Sequence, residues 1–442
     1  MTIEICTVGG YDEIGRNMTA VKIDDDVIIF DMGLHMENYI ASTEREDVVK
    51  VSADLLMESN AVPDISKIKD WMDKVRLIIP SHAHLDHAGA IPYLANKFNC
   101  PVICTPFTAA VLETILRDEK IRLKNKILRL TTNSHYTLNK DIRIEFVSVT
   151  HSTPHTVIVA VHTRYGVIMY SNDFKLDNFP TLGKKPNYEK LKELGDKGVA
   201  CLITDSTNAG KLGKTPSEAT AKQMLKDILL GANLEKGLIV VTTFASHIAR
   251  LKSIVELGKE LNRKIYFLGR SLGKYVIAAQ DVQVVDFRQD VKLDRYQRQI
   301  EKRLQKLQKT KSLLVVTGHQ GEPGSVLDKI ARGNLNLSFN ENDSLIFSCK
   351  VIPTETNRKN REALEAVLRK TGIRIFHDVH VSGHAAREDI RDFLALVRPR
   401  NLVPAHGDLE KRSSVKSLAL EMRLLPEKNI HLMNDGQRFR LA

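Results

Sequence analysis

The stretch PSHAHLDHAGAIPYL, Pro80 to Leu94, puts three histidines and an aspartate within six residues of a 442-residue chain that holds 15 histidines in all. It follows VRLIIPS, which reads as a strand, and enters AGAIPYLANKF, which reads as a helix. His82, His84, Asp86 and His87 are therefore expected on a strand-to-helix loop. Imidazole nitrogens beside a carboxylate suit zinc or a similar divalent ion, and one loop can aim alternate side chains at two neighbouring ions. One loop cannot fill two coordination shells, so further donors are sought at other strand ends. His151 follows EFVSVT, Asp173 follows VIMYSN and His406 follows NLVPA. Each alone is as compatible with a cap or a core residue as with a ligand. Together the seven fit a site for two metals about 3.5 to 4 Å apart.

Outward from this cluster, short Val- and Ile-rich runs (IEICTV, VIIFDMG, VRLIIP, IRIEFVSVTH, VIMYSNDF, ACLITDST) alternate with turns up to residue 206. Several end on Asp or His, so many strand ends can converge on one sheet edge. From 207 to 360 the pattern changes to longer alternation of helix and strand, as in LIVVTTF, SHIARLKSIVELGKEL and SLLVVTGHQ. That is the texture of an α/β domain with a mostly parallel sheet. The first texture returns over 361–442 with IRIFHDVHVSGHAA and NLVPAHGD, so the middle domain reads as an insertion into the first.

The composition, 43% hydrophobic and 27% charged, is that of an ordinary globular protein and excludes extensive disorder. A formal charge of +11 favours polyanionic partners. The five cysteines include no CxxC, so neither a disulfide framework nor a cysteine zinc site is indicated, and buried free thiols are expected. MTIEICTVGG is no secretory signal, and no uncharged apolar run of about 18 residues could span a bilayer. A cytoplasmic protein with no membrane partner is expected.

HAHLDH, with His151 and Asp173 after it, resembles the HxHxDH, His, Asp pattern of the metallo-β-lactamase superfamily. The insertion followed by VSGHAAREDI and VPAHGD resembles the β-CASP branch, whose members act on nucleic acids. Within that branch the chain is most similar to the ribonuclease J family of compact, archaeal type, from GGYDEIGRNM through TGHQGEPGS to VPAHGD, nearly its whole length. The resemblance implies an α/β fold, an αβ/βα sandwich with an inserted β-CASP domain. It assigns His82, His84 and His151 to one metal and Asp86, His87 and His406 to the other, with Asp173 bridging. Two Zn²⁺ per subunit are implied, with Mn²⁺ or Mg²⁺ as alternatives. Asp31 in IIFDMG and Asp205 in DST would hold ligands by hydrogen bonds.

The implied chemistry is attack on a phosphodiester by hydroxide made available at neutral pH by two metals. Asp86 would help orient the nucleophile, and His384 in SGHAA would protonate or stabilise the leaving 3′-oxygen. Ser382, Gly383 and His384 are candidate contacts to an RNA phosphate, as are Ser246 in FASH and Ser348 in FSCK, which could equally be turn residues. The activity implied is 5′-to-3′ degradation of single-stranded RNA, preferring 5′-monophosphate ends and releasing nucleoside 5′-monophosphates, with some endonuclease activity. A homodimer and other RNA-decay proteins are the further partners expected. The alternatives are an RNA 3′-end-processing endonuclease, a small-molecule hydrolase such as a lactonase, and a non-catalytic RNA-binding relative. The insertion, SGH and the basic charge speak against a lactonase, and seven retained ligands against a non-catalytic relative.

Other signals carry less. GKLGKTPS has Asn208 where a phosphate-binding loop needs its first glycine, and VGGYDEIG does not fit GxGxxG. Trp71 reads as core, and His35, His155, His162, His247 and His319 read as hydrogen-bonding or RNA-side residues. The basic runs LDRYQRQIEKRLQKLQKTK (Leu293–Lys311) and KIRLKNKILRL (Lys120–Leu130) are each either a solvated face or a phosphate contact.

Overall fold

In the strand Asp26–Phe30, Val27 and Ile29 enter one core while Ile28 and Phe30 enter another, and all four are fully buried. A strand covered on both faces reads as a continuous apolar run, which is why VIIF shows no polar alternation. The computed structural model describes residues 2–43, 51–231, 234 and 236–441. It divides into two compact units, one of Met1–Asn178, Lys184–Thr215 and Gly383–Ala442, the other of Phe179–Gly183 and Pro216–Ser382.

The first unit holds two sheets. Seven strands lie in the order Arg438–Leu441, Ile3–Gly9, Met18–Ile23, Asp26–Phe30, Val75–Ile79, Val102–Cys104 and Ile127–Arg129; six lie in the order Leu402–Ala405, Val199–Asp205, Gly166–Ser171, Val157–Thr163, Arg143–Ser148 and His135–Thr137. Phe30, Leu77 and Ile79 from the first sheet share a core with Phe146, Val159, Tyr170 and Ile203 from the second. Helices cover the outer faces: Leu94, Leu112 and Trp71 pack on the first sheet, and Leu194, Phe393 and Leu418 on the second. Trp71 is a core residue, and the five cysteines are free and buried.

Strand direction makes the site. Asp26–Phe30 runs parallel to Val75–Ile79, and Gly166–Ser171, Val199–Asp205 and Leu402–Ala405 are mutually parallel neighbours. Arg143–Ser148 joins that direction through two antiparallel pairings. In the second sheet the C-terminal ends of these strands thus share one edge, and so do those of the two strands in the first.

The segment after Val75–Ile79 departs from the single helix expected over AGAIPYLANKF. It forms a four-residue helix Leu85–Ala88, a second Ile91–Leu94 and a 3₁₀ turn Ala95–Lys97, so Asp86 and His87 lie on a helical turn. The carbonyls of Asp86 and His87 accept from the Asn17 and Met32 amides, which takes them out of a continuing helix, and Pro92 restarts it. Gly33 lies so close that a Cβ there would meet the Asp86 carbonyl oxygen at 1.6 Å.

The second unit carries six all-parallel strands in the order Val291–Asp294, Lys264–Leu268, Ser312–Val316, Ile239–Thr242, Ser344–Phe347 and Arg374–Phe376. A parallel α/β texture is expected from the sequence over 207–360; the sixth strand, Arg374–Phe376, lies beyond that bound, in the stretch that reads as the returning part of the first domain. Among the described residues no helix is long and apolar enough to cross a membrane.

Candidate metal centre

Three of the site residues sit where the chain turns sharply after a strand. Asp31, Asp173 and His406 have φ of 56°, 55° and 57°, in the left-handed region that side chains rarely adopt. The Asp31 amide donates to the Ile79 carbonyl at 3.1 Å and the His406 amide to the Gly10 carbonyl at 2.7 Å, which fix two of these turns.

Asp173 lies at the centre. Its Oδ2 is 3.5 Å from His82 Nε2, 3.4 Å from His151 Nε2 and 4.0 Å from His84 Nδ1. Its Oδ1 is 3.2 Å from His87 Nε2 and 3.3 Å from His406 Nε2. Asp86 Oδ2 stands 3.5 Å from His87 Nε2 and 3.8 Å from His406 Nε2. The donor atoms fall into two groups, His82, His84, His151 and Asp173, then Asp86, His87, His406 and Asp173. All seven residues singled out in the sequence come together, with Asp173 common to both groups.

The opposite ring nitrogens are committed elsewhere. His151 Nδ1 donates to the Gly383 carbonyl at 2.8 Å and His406 Nδ1 to Asn17 Oδ1 at 2.8 Å. His87 Nδ1 is 2.6 Å from Asp31 Oδ2, and His82 Nδ1 pairs with the Ser81 hydroxyl at 3.0 Å. With the proton on Nδ1, the Nε2 lone pairs of His87, His151 and His406 turn inward, as metal ligation requires. Asp31 is itself fixed by the Ser81 amide at 2.6 Å and the Tyr170 hydroxyl at 2.7 Å.

The donor set fits divalent cations. His82 and His151 Nε2 both face His84 Nδ1, at 3.0 and 3.1 Å, and the buried Asp173 Oδ1 has no hydrogen-bond donor among the described residues. Burial, then the charge of His87, pushes His82 down to about 4, and burial holds His151 well below the usual imidazole range, so both are neutral at pH 7, the form that can bind a metal. Burial opposes the charge on Asp173, but His406, His87 and His384 outweigh it and keep its carboxyl well below the usual carboxylate range.

His384 stands beside this cluster. Its Nδ1 meets Asp205 Oδ2 at 2.8 Å, and its Nε2 lies 3.9 Å from Asp173 Oδ2. Burial works against its charge, yet the carboxylates of Asp205, Asp173 and Asp86 lift it to about 9. Bound cations would pull that value down. Asp173, His82, His87, His151 and His406 form a floor with at most 2% side-chain exposure. His84, Asp86 and His384, at 21 to 22%, form the open edge.

A metallo-beta-lactamase superfamily model matches residues 11–197, the ribonuclease J beta-CASP domain matches 236–365, and the Zn-dependent metallo-hydrolase RNA specificity domain matches 356–431. Ribonuclease J of Methanocaldococcus jannaschii is 40% identical over 441 residues, covering 99% of this chain and 98% of its own. The chain belongs to the ribonuclease J family. Ribonuclease J of Pyrococcus abyssi is 37% identical over 98% of this chain and 96% of its own. A protein of unknown function from Enterococcus faecalis V583 shares the fold, with a TM-score of 0.66 at 18% identity over the whole of both chains.

Within this ribonuclease J family fold, a metallo-β-lactamase domain with an inserted β-CASP domain, the remaining sequence candidates fall in different places. The Gly383 carbonyl receives His151, and a Cβ at 383 would meet Ser152 Oγ at 2.3 Å. Ser246 and Ser348 are buried in the second unit, and Ser382 is that unit's last residue. The Ser348 hydroxyl donates to the Val379 carbonyl at 2.8 Å and accepts from Arg250 at 2.7 Å, so its single proton is committed within the fold. Sequence reasoning missed Asn17, Ser81 and Tyr170, which orient ligands. Asn17 lies in the GGYDEIGRNM stretch that carried the resemblance; an amide and a phenol announce no metal chemistry by type.

Proposed function

We propose that the chain is a metal-dependent ribonuclease that degrades single-stranded RNA from its 5′ end, prefers a 5′-monophosphate and releases nucleoside 5′-monophosphates. The observation that carries this reading is the convergence of His82, His84, Asp86, His87, His151 and His406 on Asp173, with a carboxylate-held His384 at the open edge. Family membership supports RNA as substrate, since the relatives bear the name ribonuclease J. The same reading gives the cytoplasm as location and a homodimer as assembly.

His82, His84 and His151 would hold one ion and Asp86, His87 and His406 the other, with Asp173 reaching both. The imidazole-rich set favours Zn²⁺, with Mn²⁺ or Mg²⁺ as alternatives. When bound, the ions supply Lewis acidity, ionising water near neutral pH and neutralising charge that builds on the phosphate. Asp86 is the carboxylate at the open edge, placed to accept a hydrogen bond from the attacking water and orient it. His384 is held by Asp205 through Nδ1, leaving the Nε2 proton to be donated to the leaving 3′-oxygen. The buried floor excludes bulk water from the ligand nitrogens. Ser246, Ser382, Gly383 and His384 are each assigned as contacts to RNA phosphates, whereas the Ser348 hydroxyl is committed to Val379 and Arg250.

Metal removal tests the reading. Protein stripped with a chelator is expected to lose RNA hydrolysis while keeping its fold, and to regain it on titration with about two equivalents of Zn²⁺ or Mn²⁺ per chain. Full activity in the stripped protein, confirmed metal-free by elemental analysis, would end it.

A further inference from the structure

The helix Gln297–Gln305 in the second unit has two unlike faces. Ile300 and Leu304 are buried in that unit's core, and Leu307 packs beside them. The opposite face carries Arg298, Lys302 and, just past the helix end, Lys306, all exposed, followed by exposed Lys311. Arg303 is tied to Asp294 at 2.8 Å and Lys309 to Asp343 at 2.6 Å. Among the described residues, Arg298, Lys302, Lys306 and Lys311 meet no carboxylate at ion-pair distance.

Two other charged segments are matched in part. Along Glu355–Lys370, Lys359 pairs with Glu355, and Arg361 and Arg369 both pair with Glu365. In the other basic run, Arg129 is held by both oxygens of Glu113. A row of like charges spaced four residues apart costs helix stability, and Arg298, Lys302 and Lys306 form such a row with only Glu301 among them. Their Cα atoms rise about 6 Å apart along the axis, a track for a flexible polyanion rather than a pocket for one phosphate.

At the head of the row, Tyr296 is 52% exposed, and the Arg295 guanidinium lies 5.5 Å from its ring centroid. The Arg295 and Tyr296 amides both donate to Gln299 Oε1, at 3.2 and 3.3 Å, which fixes the start of the helix and the place of the ring. An exposed aromatic face at the head of a row of exposed cations is the arrangement that stacks a base while holding its backbone.

We propose that Tyr296 with Arg298, Lys302, Lys306 and Lys311 forms a single-stranded RNA contact surface of the inserted unit, additional to the metal centre in the other unit. The proposal rests on the RNA reading above. The chemistry favours RNA over an acidic protein or a membrane surface because the aromatic ring stands exposed among the cations.

The test uses the full chain carrying Asp86→Ala to suppress cleavage, with a fluorescent 5′-phosphorylated oligouridylate, and measures Kd across a salt series. Arg298→Glu, Lys302→Glu and Lys306→Glu together are expected to weaken binding at least tenfold and to make the slope of log K against log salt shallower by about 2, given roughly 0.7 per lost phosphate contact. Tyr296→Ala should weaken binding about tenfold with the slope retained, and Tyr296→Phe should restore it. Reversing Arg358, Lys359 and Lys370 instead makes the same change in net charge and should leave the slope near that of the parent. If the parent binds RNA and the triple variant matches it in Kd and slope, the surface is not an RNA contact and an acidic protein becomes its occupant. If the parent binds no RNA at all, the RNA reading itself has failed.

Discussion

At the scale of single residues, Asp173 organises the centre and its neighbours decide which nitrogen faces it. Removing Asp173 would leave His87 and His406 facing each other across a site built around a carboxylate. The residue that separates proton transfer from metal binding is Asp205, which touches His384 at 2.8 Å and heads the group that contains no further imidazole. Asp205→Asn is therefore expected to cut kcat by roughly 10²-fold or more, while metal content measured by elemental analysis stays at the wild-type level. Loss of metal together with activity would make Asp205 a ligand. The seven candidate ligand positions were legible because imidazole and carboxylate at strand ends are unusual by type. Asn17, Ser81 and Tyr170 were not, because their part depends on which nitrogen of a neighbouring ring they occupy, and that exists only in three dimensions.

At the scale of elements, the strands were legible from their apolar runs, since both faces of each sheet are covered. The helix expected after HAHLDH was not, because its hydrogen bonds are redirected: Asn17 and Met32 take the Asp86 and His87 carbonyls. In the second unit, one buried ion pair joins two helices. Arg250 on Ile248–Glu260 makes two bonds to Glu218 on Glu218–Gly231, at 2.6 and 2.9 Å, and also reaches Ser348 and Val379. Burial opposes the Glu218 charge, but His247 and Arg250 outweigh it and hold that carboxyl below the usual range. Arg250→Ala strands a buried carboxylate and should destabilise the chain by about 3–5 kcal/mol in denaturant unfolding. A change below 1 kcal/mol would mean that water replaces the guanidinium. Nothing in SHIARLKSIV distinguishes Arg250 from a solvated arginine, so this pair was invisible in the sequence.

At the scale of the whole molecule, the two ends of the chain close on each other. The Tyr11 amide donates to Asp435 Oδ1 at 2.9 Å, across 424 residues. Burial raises the Asp435 carboxyl to about 6, helped by Asp12 and Glu13 and opposed by the Tyr11 amide and Arg16. Because the folded value lies above the unfolded one, the folded state holds the extra proton between about pH 4 and 6, and the stability Asp435 contributes falls as pH rises through that window. That contribution is on the order of 2–3 kcal/mol, and the stability of wild type relative to Asp435→Asn should fall by that amount between about pH 4 and 7. A difference in stability between wild type and Asp435→Asn that stays constant over the window would refute the shift.

The insertion was legible from the change of texture and its return. Which chemical end of an RNA the centre accepts was not, since no residue type encodes it. That is the central claim, and one assay addresses it most directly: an internally labelled RNA carrying a 5′-monophosphate, 5′-hydroxyl or 5′-triphosphate, incubated with metal-loaded wild-type protein beside Asp86→Ala. The account predicts mononucleotides from the first time point, fastest consumption of the monophosphate substrate, and no product from the variant. Discrete internal fragments, formed at rates indifferent to the 5′ end, would contradict it.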